Sequence, residues 1–343
     1  GEGDATMPTL SLRGLDDANA YLHEPDGSYN DASGCGNVAN PGNPYLQQLI
    51  ITALDRFADL GIDGFRFDLA SLLTRDGGGL VARITSWGEH RGVRLIAEPW
   101  DLAEYQVGDW PLPWLQWNDR FRDEIRGFVR GEPGLVRAVM NRIQGRPDLF
   151  GERSESGISP SLNFVSAHDG LTMHDLTIVT NEHHHSWDCG DELRLQQIKN
   201  YFTMLLLAAG TPMFVMGDEF GRTQGGHDNP YNIDSELTWV DWDRLETWSE
   251  LHDHVRALLH LRRAHQPGNF RFYGLDSAPD TSTESRALAW CAGGLYVMVN
   301  AGWEPATFAF QEDGPWRAVL CTAPADGTTV APRSIVVWQR SVR

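Results

Sequence analysis

The stretch GIDGFRFDLA, residues 61–70, decides the fold. It reads as a short strand, yet Arg66 and Asp68 stand inside it, where an unpaired charge is costly to bury. Upstream lies NPYLQQLIITALDRFADLG, with Leu46, Leu49, Ile50, Ala53, Leu54 and Phe57 at helical spacing and Gly61 as C-cap. Downstream, GGLVARITSWGEHRG reads as a second helix and VRLIAEPW as a second strand. Strand, helix and strand in that order are the punctuation of parallel βα units.

The pattern continues toward the C-terminus. A strand near WLQWN precedes the helix DRFRDEIRGFVRG. SLNFVSAHD is a further strand, followed by a His-rich loop and the helix ELRLQQIKNYFTMLLLAAG. TPMFVMGDE is a last short strand, and TWSELHDHVRALLHLRRAH a last helix, whose histidines are expected to be solvated. The five strands fall near residues 62–68, 93–98, 114–118, 161–167 and 212–217, whereas a closed (β/α)8 barrel needs eight. Ahead of this series, the stretch up to about Pro44 reads as loop, because Gly, Asn, Asp and Pro recur without a period.

From about Gly268 the character changes. RALAWCAGGLYVMVNAG, ATFAFQ, WRAVLCT and SIVVWQR are short alternating runs separated by Gly, Pro and Asp. They predict a small antiparallel β-sandwich, so residues 1–266 are expected to form an α/β domain and 267–343 a second one. The 343 residues suffice for both, and 41% apolar with 22% charged residues fits a folded chain. A formal net charge of −19 speaks against nucleic acid or an anionic membrane as partner and suits a neutral substrate. Cys35, Cys189, Cys291 and Cys321 lie far apart, with neither a disulfide framework nor zinc-ligand spacing. No apolar run reaches membrane-spanning length.

Three carboxylates stand where predicted strands stop: Asp68, Glu98 and Asp169. Strand C-termini converge on one face of a parallel barrel, and catalytic groups project there. The separations, 30 residues from Asp68 to Glu98 and 71 from Glu98 to Asp169, correspond to one and about two βα units. Alternation puts Arg66 and Asp68 on the same side of their strand, so Arg66 can hold the Asp68 carboxylate ionised and aimed. A purely structural ion pair is the other reading of these two residues. Two carboxyl groups flanking a glycosidic bond suit retaining sugar hydrolysis, one attacking the anomeric carbon while the other protonates the leaving oxygen. The third can stabilise the cationic transition state.

The segments DGFRFD, LIAEPWD and VSAHDG resemble three of the four signature motifs of the α-amylase superfamily of glycoside hydrolases. PTLSLRG, YQVGDWP, QWNDRFRDEIRGFVRG, LNFVSAHDGLTMHDL and GTPMFVMGDEFGRTQGGHDNPYNIDSELTWVDW resemble its isoamylase and glycogen-debranching branch, and the likeness spans roughly residues 8 to 265. It implies a TIM barrel, with Asp68 as nucleophile, Glu98 as general acid/base and Asp169 as transition-state stabiliser. Arg66 and His168 would bind the cleaved sugar, and Trp100 would be an aromatic platform, a core-packing Trp being its other reading. The implied activity is hydrolysis of α-1,6 branches in glycogen or limit dextrin, in the cytoplasm, with no cofactor. Branching transfer, trehalose-releasing hydrolysis and a glucan-binding chain without catalysis are the rival readings.

The family's remaining motif, Asp-x-x-x-Asn-His at the end of the third barrel strand, usually precedes a segment like the GEGD opening of this sequence. By that likeness the five strands are the fourth to eighth of the barrel. The first three are expected from the rest of a longer protein or from a partner. The loop TNEHHHSWDCGDE is compact where the branch usually carries an insertion. Its His183, His184, His185 and Cys189 read as a surface or substrate-rim loop rather than a metal site, since consecutive histidines cannot all face one ion. GDEFG and HDN, after the last strand, read equally as sugar-facing loops or as strand caps.

Overall fold

The computed structural model describes residues 6–145, 148–150 and 159–341; the GEGD opening lies outside them. The chain divides into two compact units, the described residues of Gly1–Trp117 with Leu149–Ser161, and of Asn118–Asp148 with Leu162–Arg343.

In the first unit the stretch expected to be loop contains a helix, α1 (Ser11–Ala20), kinked where Asp16 leaves helical geometry at φ −158° and ψ 69°. Most of its residues are exposed, so it lacks the apolar stripe that would have announced it. Helix α2 (Pro44–Asp59) begins as its sequence dictates: Pro44 occupies the first turn, and the Asn43 side chain accepts from the Tyr45 and Leu46 amides. Leu46, Ile51 and Leu54 form its buried stripe; Leu60 caps it, and Gly61 follows at φ 96°. Strand β1 (Gly64–Phe67) pairs in parallel with β2 (Arg94–Ala97), Arg66 opposite Ile96. Helix α3 (Gly79–Arg91) makes the crossover and ends on left-handed Gly92. Strand β3 (Leu115–Asn118) runs parallel to β2. The unit's core joins Leu54, Leu80, Ile84, Leu95, Trp110 and Trp114.

The second unit opens with α4 (Asp119–Arg130), capped by the Asn118 side chain on the Phe121 amide, and α5 (Val136–Ile143). Strand β4 (Ser161–Phe164) pairs in parallel with β5 (Thr211–Met213), and α6 (Asp191–Leu206) lies between them in sequence. The strands lie where the sequence predicted them: β1, β2 and β3 are parallel neighbours in chain order, and β4 and β5 form a second parallel pair. The short helix α7 (Arg244–Thr247) and the long α8 (Ser249–His265) come next. On α8, His254 is buried rather than solvated, because it shares the inward stripe of Leu251, Val255 and Leu258.

The last part is antiparallel: β6 (Arg271–Tyr273), β7 (Ala287–Ala292), β8 (Leu295–Asn300), β10 (Trp316–Cys321) and β12 (Ser334–Arg340) form one sheet in the order β10-β12-β8-β7-β6. β9 (Ala306–Thr307) and β11 (Thr329–Val330) make a two-stranded sheet beside it. Strand alternation gives the larger sheet two apolar faces. Leu295, Val297 and Val299 join Phe121, Tyr201, Leu205 and Leu258 of the helices in one core. Tyr296 and Met298 join Phe308 and Trp338 in another. No helix of the described residues is long and apolar enough to cross a membrane.

Candidate active site at the strand ends

Arg66 explains the charged strand. One guanidinium nitrogen lies 2.6 Å from Asp68 Oδ1, and another lies 2.9 Å from Glu98 Oε2, an ion-pair contact whose angle falls short of a hydrogen bond. The Arg66 guanidinium carbon stands 4.4 Å from the ring centroid of Trp117, in β3, so the fork is braced from below. Trp117 has no role in the sequence reading, although its place on the next strand was the available signal.

The two carboxylates occupy opposite environments. The strand was expected to be buried, but all four residues of β1 are only half-buried, and the Asp68 side chain is 71% exposed. Among the described residues β1 pairs only with β2, which leaves its other flank uncovered. Glu98 is the buried one, with 9% of its side chain exposed. Burial pushes its carboxyl above the usual 4.5; the Leu69 amide and Arg66 oppose that shift, and the neighbouring Asp68 carboxyl adds to it.

Leu69 is bent into place for this contact. At φ 42° and ψ 50° it adopts the left-handed conformation, which costs a non-glycine residue about 1–2 kcal/mol. Its amide thereby donates to Glu98 Oε2 at 2.8 Å. The loop after Glu98 is fixed by Asp101, whose side chain is fully buried. It accepts from Ser71 at 2.5 Å, Arg75 at 2.7 Å, and the amides of Ala103 and Glu104 at 2.7 and 3.0 Å. Trp100, between them, is half-buried and bridges to Tyr105 through its backbone.

In the second unit, His168 and Asp169 follow β4 as a pair, Nε2 to Oδ2 at 3.3 Å, with both side chains exposed. Asp218, within GDEFG, turns inward. It accepts from Ser166 at 2.5 Å and from the Met173 amide at 3.2 Å, on either side of that pair. Burial pushes Asp218 up to about 6. The backbone carbonyl of Asp228, in HDN, accepts from the Gly170 amide at 2.8 Å, and its carboxylate lies 3.2 Å from His184. These contacts tie both segments to the loop that follows β4.

The histidine loop does not gather on a point. His184 faces Asp228, His185 lies 2.9 Å from Glu132, and the Cys189 thiol, raised to about 11 by burial, points at the Thr177 carbonyl. Among the described residues no group of three His, Cys, Asp or Glu is placed to hold a metal ion.

The structure thus joins Arg66, Asp68 and Glu98 in one cluster, and His168 with Asp169 in another. No family model matches the chain. A glycogen operon protein GlgX homolog of Mycobacterium bovis is 35% identical over 88% of this chain and 47% of its own length. The chloroplastic isoamylase SU1 of Zea mays is 31% identical, over 99% and 53% respectively. The fold is similar to a Paenibacillus barengoltzii pullulanase solved with maltohexaose and α-cyclodextrin, with a TM-score of 0.78, 22% identity, and coverage of 96% of this chain and 56% of that one. The chain spans about half the length of the curated relatives it matches. With its strand-end carboxylates, it belongs to the isoamylase and glycogen-debranching branch of the α-amylase superfamily.

Proposed function

We propose that the protein is a retaining glycoside hydrolase that cleaves α-1,6 branch linkages of glycogen or limit dextrin in the cytoplasm. In this reading residues 1–266 supply strands four to eight of a (β/α)8 barrel, and residues 267–343 form a C-terminal β-sandwich domain. Asp68 attacks the anomeric carbon as Glu98 delivers its proton to the departing glycosidic oxygen. Glu98 then takes a proton from the water that cleaves the Asp68 glycosyl ester. Asp169 stabilises the developing positive charge, and Arg66, His168 and Trp100 hold the sugar.

The observation that carries the reading is the Arg66 fork, with one exposed and one buried carboxyl on a single guanidinium. A nucleophile has to be ionised and reachable, whereas a general acid has to keep its proton near neutral pH; the two environments match those two tasks. Two carboxyl groups held on one guanidinium, at 2.6 and 2.9 Å, suit the close spacing of a retaining pair. The names of the relatives, among them a glycogen debranching enzyme of Enterobacter, support the choice of linkage.

The test is product analysis on a branched limit dextrin. New reducing ends and linear chains are expected, and Asp68→Asn should abolish them. Transfer of chains without new reducing ends, or a fully active Asp68→Asn protein, overturns the reading.

A further inference from the structure

Trp303 is 61% exposed, yet its ring is packed against two other side chains of the second unit. Its ring meets Trp187 edge to face, with centroids 5.8 Å apart at 89°. The Arg333 guanidinium fills the corner between the two indoles, 4.8 Å from the centroid of Trp303 and 4.9 Å from that of Trp187. Arg333 itself is 1% exposed and sits at φ 58°, a strained conformation for a side chain of its size. Its guanidinium donates to the carbonyls of Ala301 and Val129 at 2.7 and 2.6 Å, and its amide donates to Gly302 at 3.0 Å. Its own carbonyl accepts from Gln196, Gln197 and Asn200 at 2.7, 3.1 and 2.6 Å. A buried, over-determined arginine therefore backs an indole whose remaining surface faces solvent.

We propose that Trp303 is a secondary carbohydrate platform, which grips a glucan chain through its open face apart from bond cleavage. The fixed indole offers a flat apolar surface for the C–H face of a sugar ring. The exposed carboxylates of Asp188 and Glu304, next in sequence to the two tryptophans, offer acceptors for sugar hydroxyls. A neutral ligand also escapes the repulsion that a chain of net charge −19 exerts on acidic partners. The inference rests on the reading of the protein as α-glucan-active. For a polymeric substrate, a second hold raises the local concentration of branches without any change in the chemistry.

The test is the retardation of the protein in native gels containing glycogen, together with its hydrolysis of a short branched oligosaccharide. Trp303→Ala should weaken glycogen retardation by about tenfold, while kcat/KM on the short substrate and the melting temperature stay unchanged. Trp303→Phe, which keeps a flat ring over Arg333, should retain most of the retardation; Trp303→Gln, which keeps bulk over Arg333 without a flat apolar face, replaces the alanine variant with the same expected loss if the latter melts early. Unchanged retardation in Trp303→Ala, or in Trp303→Gln where it replaces it, overturns the platform, as does equal loss in Trp303→Phe or a parent that glycogen does not retard. Failure of the catalytic reading shows separately, as no hydrolysis of the short substrate by the parent.

Discussion

Replacing Glu98 by Gln separates proton donation from everything else that Glu98 does. The substitution keeps the side-chain shape, and the amide oxygen can still accept from Leu69, now at 2.8 Å. It removes the acidic proton and the ion pair at 2.9 Å to Arg66. Arg66 keeps Asp68 at 2.6 Å, so the fold should lose only about 1 kcal/mol. Catalysis should lose far more. A positioned general acid contributes about 10²–10⁴ in rate, or about 2.7–5.4 kcal/mol, and a sugar hydroxyl leaving group requires it. Fluoride departs without a proton. The assay is therefore kcat/KM on a branched dextrin beside kcat/KM on an α-maltosyl fluoride, since both report the step that forms the glycosyl ester. The dextrin value should fall by about 10²–10⁴ and the fluoride value by less than about tenfold. The pH profile adds a second readout. Glu98 acts as acid while protonated, and its pKa is raised, so the parent's alkaline limb on dextrin should lie above the ordinary carboxylate range and vanish in the variant. Equal losses on the two substrates would refute the assignment and leave Glu98 as a group that only positions Arg66.

Two further predictions concern buried titratable groups. Asp218, raised to about 6, prefers its proton in the folded state; that preference stabilises the fold below the ordinary 3.8 and is lost as pH rises through 6. Urea unfolding of parent and Asp218→Asn between pH 4 and 7 should therefore show the parent losing roughly 3 kcal/mol relative to the variant, whereas parallel curves would refute the shift. His254 is lowered to about 3 by burial and lies 3.1 Å from the Thr203 hydroxyl, whose own proton goes to the Lys199 carbonyl, so the neutral ring donates through Nε2. Its contribution is present above pH 6.5 and lost as pH falls. His254→Gln, which still has a donor for Thr203, should gain roughly 3 kcal/mol over the parent at pH 4, and an unmoved acid-unfolding midpoint would refute it.

What the sequence made legible was local. Each parallel strand is a short apolar run that stops at a polar residue, and α2, α3, α4, α6 and α8 carry helical stripes closed by glycine or followed by loop residues. Those signals placed all five strands, and with them Asp68, Glu98 and Asp169. Helix α1 was missed because, among its described side chains, Arg13 and Ala20 alone are buried and make no apolar stripe, and because Asp16 breaks its geometry. The burial of His254 was readable in principle: it stands three residues after Leu251 and four before Leu258, within one stripe. The exposure of Asp68 was not readable, because it depends on what lies beside β1 rather than on β1 itself.

The supports of the site were hidden for a related reason. Asp101 and Asp218 are short carboxylates among many, and nothing in their immediate neighbours marks them off from solvated ones. Each acquires its role only when the chain folds back on it. Asp101 then receives Ser71 and Arg75 from about 30 residues upstream, and Asp218 receives Ser166 and Met173 from about 50. Once such a carboxylate is buried, every donor it collects lowers the cost of its burial, and the same bonds stiffen the loop that supplied them. The loops so stiffened carry Trp100 in one unit and His168 with Asp169 in the other. A functional carboxylate at a strand end is announced by the strand, but the carboxylate that holds its loop is announced only by contacts between distant segments. The same logic makes Arg66 readable and Arg333 not. Arg66 pairs with a residue two positions away, whereas Arg333 gathers its partners from α4, α6 and the turn after β8.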